Sequence, residues 1–149
     1  MARIGLISDT HGLLRPQALD ALRGCERILH AGDIGSASLL DALAALAPVT
    51  AVRGNNDRDA WADALPQVAQ CDCDGLRLLV VHDISQLRDA PQADVIVSGH
   101  SHRPHVERRA GVLYVNPGSA GPRRFSLPVT IAYLEVGAGR AEARLVPLL

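Results

Sequence analysis

Asp9 and His11 stand two residues apart near the start of the chain, and the same spacing recurs at His100 and His102. Between the two pairs come Gly32-Asp33, the run Gly54-Asn55-Asn56-Asp57, and His82. Carboxylates, an amide and imidazoles form a mixed oxygen and nitrogen donor set. Such a set suits Mn²⁺, Fe, Zn²⁺, Co²⁺ or Ni²⁺ and does not make the all-oxygen cage that Ca²⁺ takes. Taken singly, a Gly-Asp or a buried His more often serves packing than metal binding. Their joint occurrence, each in a similar local setting, is harder to obtain from packing alone.

That setting is the end of a strand. Residues 3–8, 26–30 and 49–53 are short apolar runs followed by Asp9 and His11, by Asp33 and by Asn55 respectively. Residues 76–82 end on His82, and residues 94–98 precede His100 and His102. In α/β folds the loops at the carboxyl ends of strands converge on one crevice, so side chains distant in sequence can meet. In extended backbone, residues i and i+2 point to the same side, which predicts that each Asp or His pair chelates together. Gly32, Gly54 and Gly99 precede three of the residues and are expected to supply the φ values of sharp turns.

The first half alternates strands with helical segments, the pattern of β-α-β units and parallel neighbours. One helix is predicted from Pro16, with Leu19 and Leu22 on one face, and another after Ser36 as N-cap, ending before Pro48. The second half turns antiparallel. Asp74-Gly75 and Ala110-Gly111 read as hairpin turns, joining 68–72 to 76–82 and 105–109 to 112–116, and a last pair spans 129–136 and 141–146. Roughly ten strands and two or three helices in 149 residues predict two packed sheets with helices outside, in one domain over residues 1–149.

Composition narrows the partners. The net charge is −1, and there are one Trp, one Phe and two Tyr, which gives neither the basic field nor the stacking platforms of nucleic-acid binders. Nucleic acid is therefore not the expected partner. No apolar stretch approaches the length of a membrane span, and the start of the chain does not read as a secretory signal, so the cytoplasm is the expected location. Cys25, Cys71 and Cys73 read as reduced packing residues. Homo-oligomerisation stays open.

The order Asp-x-His, Gly-Asp, Gly-Asn-Asn-Asp, His and Gly-His-Ser-His resembles the calcineurin-like metallophosphoesterase superfamily. Asn116-Pro-Gly-Ser119 further resembles its small bacterial and archaeal phosphodiesterase branch. The resemblance spans residues 3 to about 136 and implies a four-layer αββα sandwich of two mostly mixed sheets. It also implies two divalent ions per chain, Mn²⁺ being favoured, and catalysis centred on Asp33, Asn55 and His82. By position, Asp9, His11 and His102 would hold one ion and Asn55, His82 and His100 the other, with Asp33 bridging. The implied activity is hydrolysis of a small phosphate ester, most simply a diester, by metal-activated hydroxide. The alternative is a non-catalytic scaffold, as in the retromer subunit of the same superfamily.

Two departures from the family pattern bear on chemistry. Asn56 stands where many members carry a His that protonates the leaving group, and an amide cannot do so, which predicts a preference for good leaving groups. Asp83 replaces the usual Gly after the fourth-motif His, and either narrows the site or forms a turn. Asn56, Ser119 and Arg123 are the candidate substrate contacts, and of the adjacent Arg123 and Arg124 at most one is expected to clamp phosphate. His30 either orients a ligand carboxylate or packs in the core, and His105 is expected at the surface. Trp61 and Leu65 share a helical face that walls a pocket or, more simply, joins the core.

Overall fold

Strand β1, Ala2–Ile7, lies at the centre of the first sheet because both of its faces are apolar. Ile4 and Leu6 face one way, and Gly5 and Ile7 face the other. In the computed structural model, which describes residues 1–87 and 92–149, β1 pairs in parallel with β2 (Arg27–His30) and antiparallel with β9 (Thr130–Gly137). The parallel neighbours β2 and β3 (Val49–Ala51) are reached through helices α1 (Pro16–Leu22) and α2 (Ala37–Ala44). Strand β10 (Arg140–Pro147) closes the far edge, giving the order β10-β9-β1-β2-β3. Pro16 opens α1 at its first turn, and the Ser36 hydroxyl accepts from the Leu39 N–H to cap α2, both as the sequence predicts.

The second sheet has the order β4-β5-β6-β8-β7. It is built from β4 (Val68–Cys73), β5 (Leu76–Val81), β6 (Val95–Val97), β7 (His105–Arg109) and β8 (Val112–Asn116). The two expected hairpins form, with Asp74 and Gly75 at φ of 52° and 80° and Ala110 and Gly111 at 50° and 82°. Both residues of each turn thus take the positive φ that matches strand twist. Ala138 and Gly139 repeat the device between β9 and β10.

The sheets pack face to face as an α/β sandwich. Ile4, Leu6, Leu29 and Leu134 of the first meet Leu78, Val80, Val95, Val97 and Val115 of the second in a fully buried interior. Each such side chain contributes about 1.5–3 kcal/mol by leaving water. On the other side of the first sheet, Leu22, Leu39 and Leu43 of the helices cover Ile7, Ile28 and Ile131, and Trp61 and Leu65 join this layer. The Trp61 stripe is therefore core, the plainer of its two readings. Trp61 lies on the one-turn helix α3 (Ala60–Asp63). Among the described residues, the outer face of the second sheet carries only the 3-10 turn Ile84–Gln86. Leu79, Val81 and Ile96 are buried there beside Tyr114, so the fourth layer is thin.

Candidate metal centre

Strands β1, β2, β3, β5 and β6 all end at one edge of the sandwich, and the backbone continues past them in paired loops. Asp9 N–H donates to Gly32 O (3.0 Å), His11 N–H to Asp33 O (2.9 Å) and Gly12 N–H to Ile34 O (2.8 Å). Gly99 N–H donates to His82 O (2.9 Å) in the other sheet. A bridge between the sheets runs through the Asp9 carboxylate, whose Oδ2 accepts from the Ser8 hydroxyl (2.7 Å) and the His100 N–H (3.1 Å).

The backbone here corrects the expectation of extended pairs. Asp9, His11, Asp33, His100 and His102 have φ between 47° and 73°, the left-handed region that only Gly adopts freely. Short polar side chains tolerate it best, and such strain persists where surrounding hydrogen bonds hold it. The glycines play a different part from the one expected. Gly32 does take a positive φ of 99°, but Gly54 and Gly99 are required for space. A Cβ on Gly54 would lie 2.1 Å from Asp33 Oδ1, and one on Gly99 would lie 2.1 Å from Ser8 Oγ and 2.7 Å from Asp9 Oδ2.

Two groups of donors result. Asp9, His11 and His102 form the first, with His102 Nε2 3.4 Å and His11 Nε2 3.9 Å from Asp9 Oδ1. Asp9, Asp33 and His82 form the second. Asp33 Oδ2 lies 3.7 Å from His11 Nε2 and 3.3 Å from His82 Nε2, and so stands between the two. His82 Nδ1 donates to Ala31 O (2.7 Å), which turns Nε2 forward, 2.9 Å from Asn55 Oδ1. His100 belongs to neither tight group. Its side chain is 48% exposed, its ring stands edge-on to His82 with centroids 5.2 Å apart, and its Nε2 lies 3.8 Å from Asp83 Oδ2.

The electrostatics follow from this packing. Burial pushes the Asp33 carboxyl up, yet the His82 hydrogen bond, the Asn56 N–H and the charges of His82 and His11 bring its pKa down to about 2. Burial opposes a proton on His82, but the bond and charge of Asp33, with Asp9 and the Ala31 carbonyl, raise it. Burial raises Asp9, only partly offset by the Ser8 hydroxyl and the His82 and His102 charges. Three buried polar atoms among the described residues have no hydrogen-bond partner, and two of them, Asp9 Oδ1 and His11 Nε2, face each other in the first group. Buried donors and acceptors left unmatched are costly, so this pattern fits a cation between them.

The candidate substrate contacts fare differently. Asn56 donates to both oxygens of Asp33, from its N–H (2.9 Å) and its side-chain amide (3.1 Å), so it serves the carboxylate. Ser119 is 2% exposed and its hydroxyl faces Asp9 O and Pro122 O, each at 3.1 Å. That position supports the Asp9 loop from behind and corrects the reading of Ser119 as a substrate contact. Of the two arginines, Arg124 is the one whose charge bears on His102, helping burial to lower that imidazole's pKa against the pull of Asp9. Arg123 is exposed. His30 is fully buried and binds the ligand loops, and His105 is exposed beside Glu107.

Two further buried supports are Asp57, to which the sequence assigns no role, and Asn116, which heads the Asn116-Pro-Gly-Ser119 turn. Asp57 accepts from Ile34, Gly35 and Gly54 N–H groups at 3.0–3.1 Å, tying the Asp33 loop to the Asn55 loop. Asn116 donates to Gly99 O and Ser101 Oγ. The signal for Asp57 was its place in the same glycine-led run as Asn55.

Residues 2–139 match the family model described as calcineurin-like phosphoesterase superfamily domain. A probable metallophosphoesterase of Methanothermobacter thermautotrophicus is 35% identical, over 96% of this chain and 91% of its own. Among solved structures, an archaeal phosphodiesterase superposes with a TM-score of 0.76 at 24% identity, covering 97% of this chain and 99% of that one. Wild-type Vps29 of Entamoeba histolytica, solved with Zn²⁺, gives 0.74 at 20% identity, covering 99% of each.

Proposed function

The chain belongs to the calcineurin-like phosphoesterase superfamily, and from that premise we propose that it is a dinuclear metal-dependent phosphodiesterase acting on small esters. The observation that carries this reading is Asp33 Oδ2, within 3.7 Å of His11 Nε2 and 3.3 Å of His82 Nε2, between two clusters of donors. Asp9, His11 and His102 would hold one ion, Asn55, His82 and His100 the other, and Asp33 both. The unmatched Asp9 Oδ1 and His11 Nε2 support a cation at the first position. Mixed imidazole and carboxylate donors suit Mn²⁺, our preferred ion, and equally Zn²⁺. When bound, two such ions supply Lewis acidity to phosphoryl oxygens and lower the pKa of an attacking water.

The chain's own residues do the rest. The Ala31 carbonyl fixes the His82 tautomer with Nε2 forward. Asn56 holds Asp33 through two donors and keeps that carboxylate ionised. Arg124 adds positive charge beside His102, which favours an incoming phosphate. In the Asn56 position no group can hand a proton to the leaving oxygen, so esters of acidic alcohols react best. We place the protein in the cytoplasm as a single domain; no described helix is long and apolar enough to cross a membrane.

The Vps29 likeness favours a second reading, a scaffold that keeps the fold without catalysis. One experiment separates the two. The protein is stripped with chelator, reloaded with single metals, and assayed on bis(4-nitrophenyl) phosphate. Metal-restored hydrolysis that falls more than about 100-fold in Asp33→Ala and His82→Ala is expected. Turnover indifferent to chelator and to both substitutions would overturn the enzyme reading.

A further inference from the structure

A cavity of about 580 Å³ opens on the outer face of the second sheet and meets the candidate centre at Asp83, Gly99 and His100. Its size lies within the range of small-molecule sites, and among the described residues no long helix covers this face. Ile84, Pro104, Tyr114 and Leu127 give it apolar walls. Arg103 lines it too, and three further polar residues, His105, Glu107 and Arg109, are matched to one another. Glu107 Oε2 lies 3.1 Å from His105 Nε2 and 3.5 Å from Arg109 Nε, and the Arg109 guanidinium rests 4.3 Å over the Tyr114 ring.

The junction with the centre is different. Asp83 Oδ1 accepts from the Ser85 N–H (3.0 Å) and hydroxyl (2.9 Å), which fixes the side chain. Asp83 Oδ2 is thereby held 3.8 Å from His100 Nε2, at the point where a substrate would pass from cavity to centre.

We infer that this cavity receives the organic arm of the substrate and that Asp83 selects singly charged phosphodiesters over doubly charged phosphomonoesters. The inference rests on the phosphoesterase reading above. A diester brings one negative charge and an uncharged arm for the apolar walls, whereas a monoester brings a second charge toward a fixed carboxylate. At several ångströms in a partly hydrated site, that second charge costs roughly tenfold in affinity. A glycine at position 83, the residue that the family pattern usually has, would leave this junction without the charge.

The test uses Mn²⁺-loaded protein and Asp83→Asn, which keeps an acceptor for Ser85 and removes only the charge. Relative to bis(4-nitrophenyl) phosphate, kcat/KM for 4-nitrophenyl phosphate should rise about tenfold, chiefly through KM. Calorimetry at about pH 8, where a phosphonate is doubly charged, should show phenylphosphonate binding about tenfold tighter, with Mn²⁺ affinity changed less than threefold. Ile84→Trp, which narrows the cavity without altering charge, should raise KM for bis(4-nitrophenyl) phosphate several-fold and spare methyl 4-nitrophenyl phosphate. An unchanged ester ratio and phosphonate affinity in Asp83→Asn would overturn the inference while leaving the phosphoesterase intact, as would a tenfold loss of Mn²⁺ affinity. Wild-type protein that hydrolyses neither ester with any metal would remove the underlying reading as well.

Discussion

His30 has both ring nitrogens committed, and its protonation state follows from counting donors. The Thr10 hydroxyl gives its one proton to Ile34 O (2.8 Å), so His30 Nε2 must donate to Thr10 Oγ1 (2.9 Å), while Nδ1 accepts from the Gly32 N–H (3.0 Å). A second proton has no place. Burial, aided by the His82 charge and opposed by Asp33, lowers its pKa to about 3. The unfolded chain takes up this proton near the ordinary histidine value, so the neutral buried ring stabilises the fold fully above about pH 6.5. That contribution, up to about 5 kcal/mol, declines as pH falls toward 3. Urea midpoints of the metal-free protein should drop steeply between neutral pH and pH 4, and His30→Gln should flatten the drop. Asn56 gives a second test at this scale. Asn56→His would restore a proton donor beside the centre, and rates on alkyl esters should rise about 10²-fold or more relative to aryl esters, read by steady-state kinetics.

Among the elements, hairpin turns and loop glycines make opposite demands. Ala110 and Ala138 hold φ of 50° and 54° in exposed two-residue turns, where a Cβ is disfavoured and Asn is at home. Ala110→Asn and Ala138→Asn should each stabilise by about 0.5–1 kcal/mol, seen as a rise in Tm with activity unchanged. Gly54 and Gly99 allow no such freedom, since a Cβ on either would collide with Asp33 or with Ser8 and Asp9. Gly99→Ala should cost about 1–3 kcal/mol in stability and also weaken Mn²⁺ binding, measured by thermal melts and calorimetry, because the residues displaced are ligands or touch them.

At the scale of the molecule, the candidate centre is where the two sheets are joined by polar groups. The Asp9 carboxylate receives the His100 N–H from the opposite sheet, and His82 reaches back to Ala31. Ions held there would tie both halves together and would bind the folded state only. Saturating Mn²⁺ at about a hundred times its Kd should add roughly 2.7 kcal/mol, raising Tm by about 5–11 °C, and chelator should reverse the shift. A Tm indifferent to metal would count against a centre built from both sheets.

Strand positions, the two hairpin turns at Asp74-Gly75 and Ala110-Gly111, and the convergence of Asp9, His11, Asp33, Asn55, His82 and His102 were legible in the chain itself. Alternation, turn chemistry and strand-end placement are local rules, and a parallel sheet brings strand ends to one edge whatever its details. The order of the motifs therefore carried the resemblance to the family, and local patterning carried the sandwich and the convergence of these six residues, while His100 stands outside the two tight groups. What only the tertiary structure decided concerns contacts between segments far apart. Left-handed backbone at Asp9, His11 and Asp33 goes with the pairing of the residue 9–12 loop with the residue 32–34 loop. The need for Gly54 and Gly99 comes from side chains across the site, and the burial of Ser119 from the carbonyl of Asp9. The cavity beside Asp83 is lined from segments 83–84, 98–109, 114–116 and 127, a gathering that no spacing along the chain records.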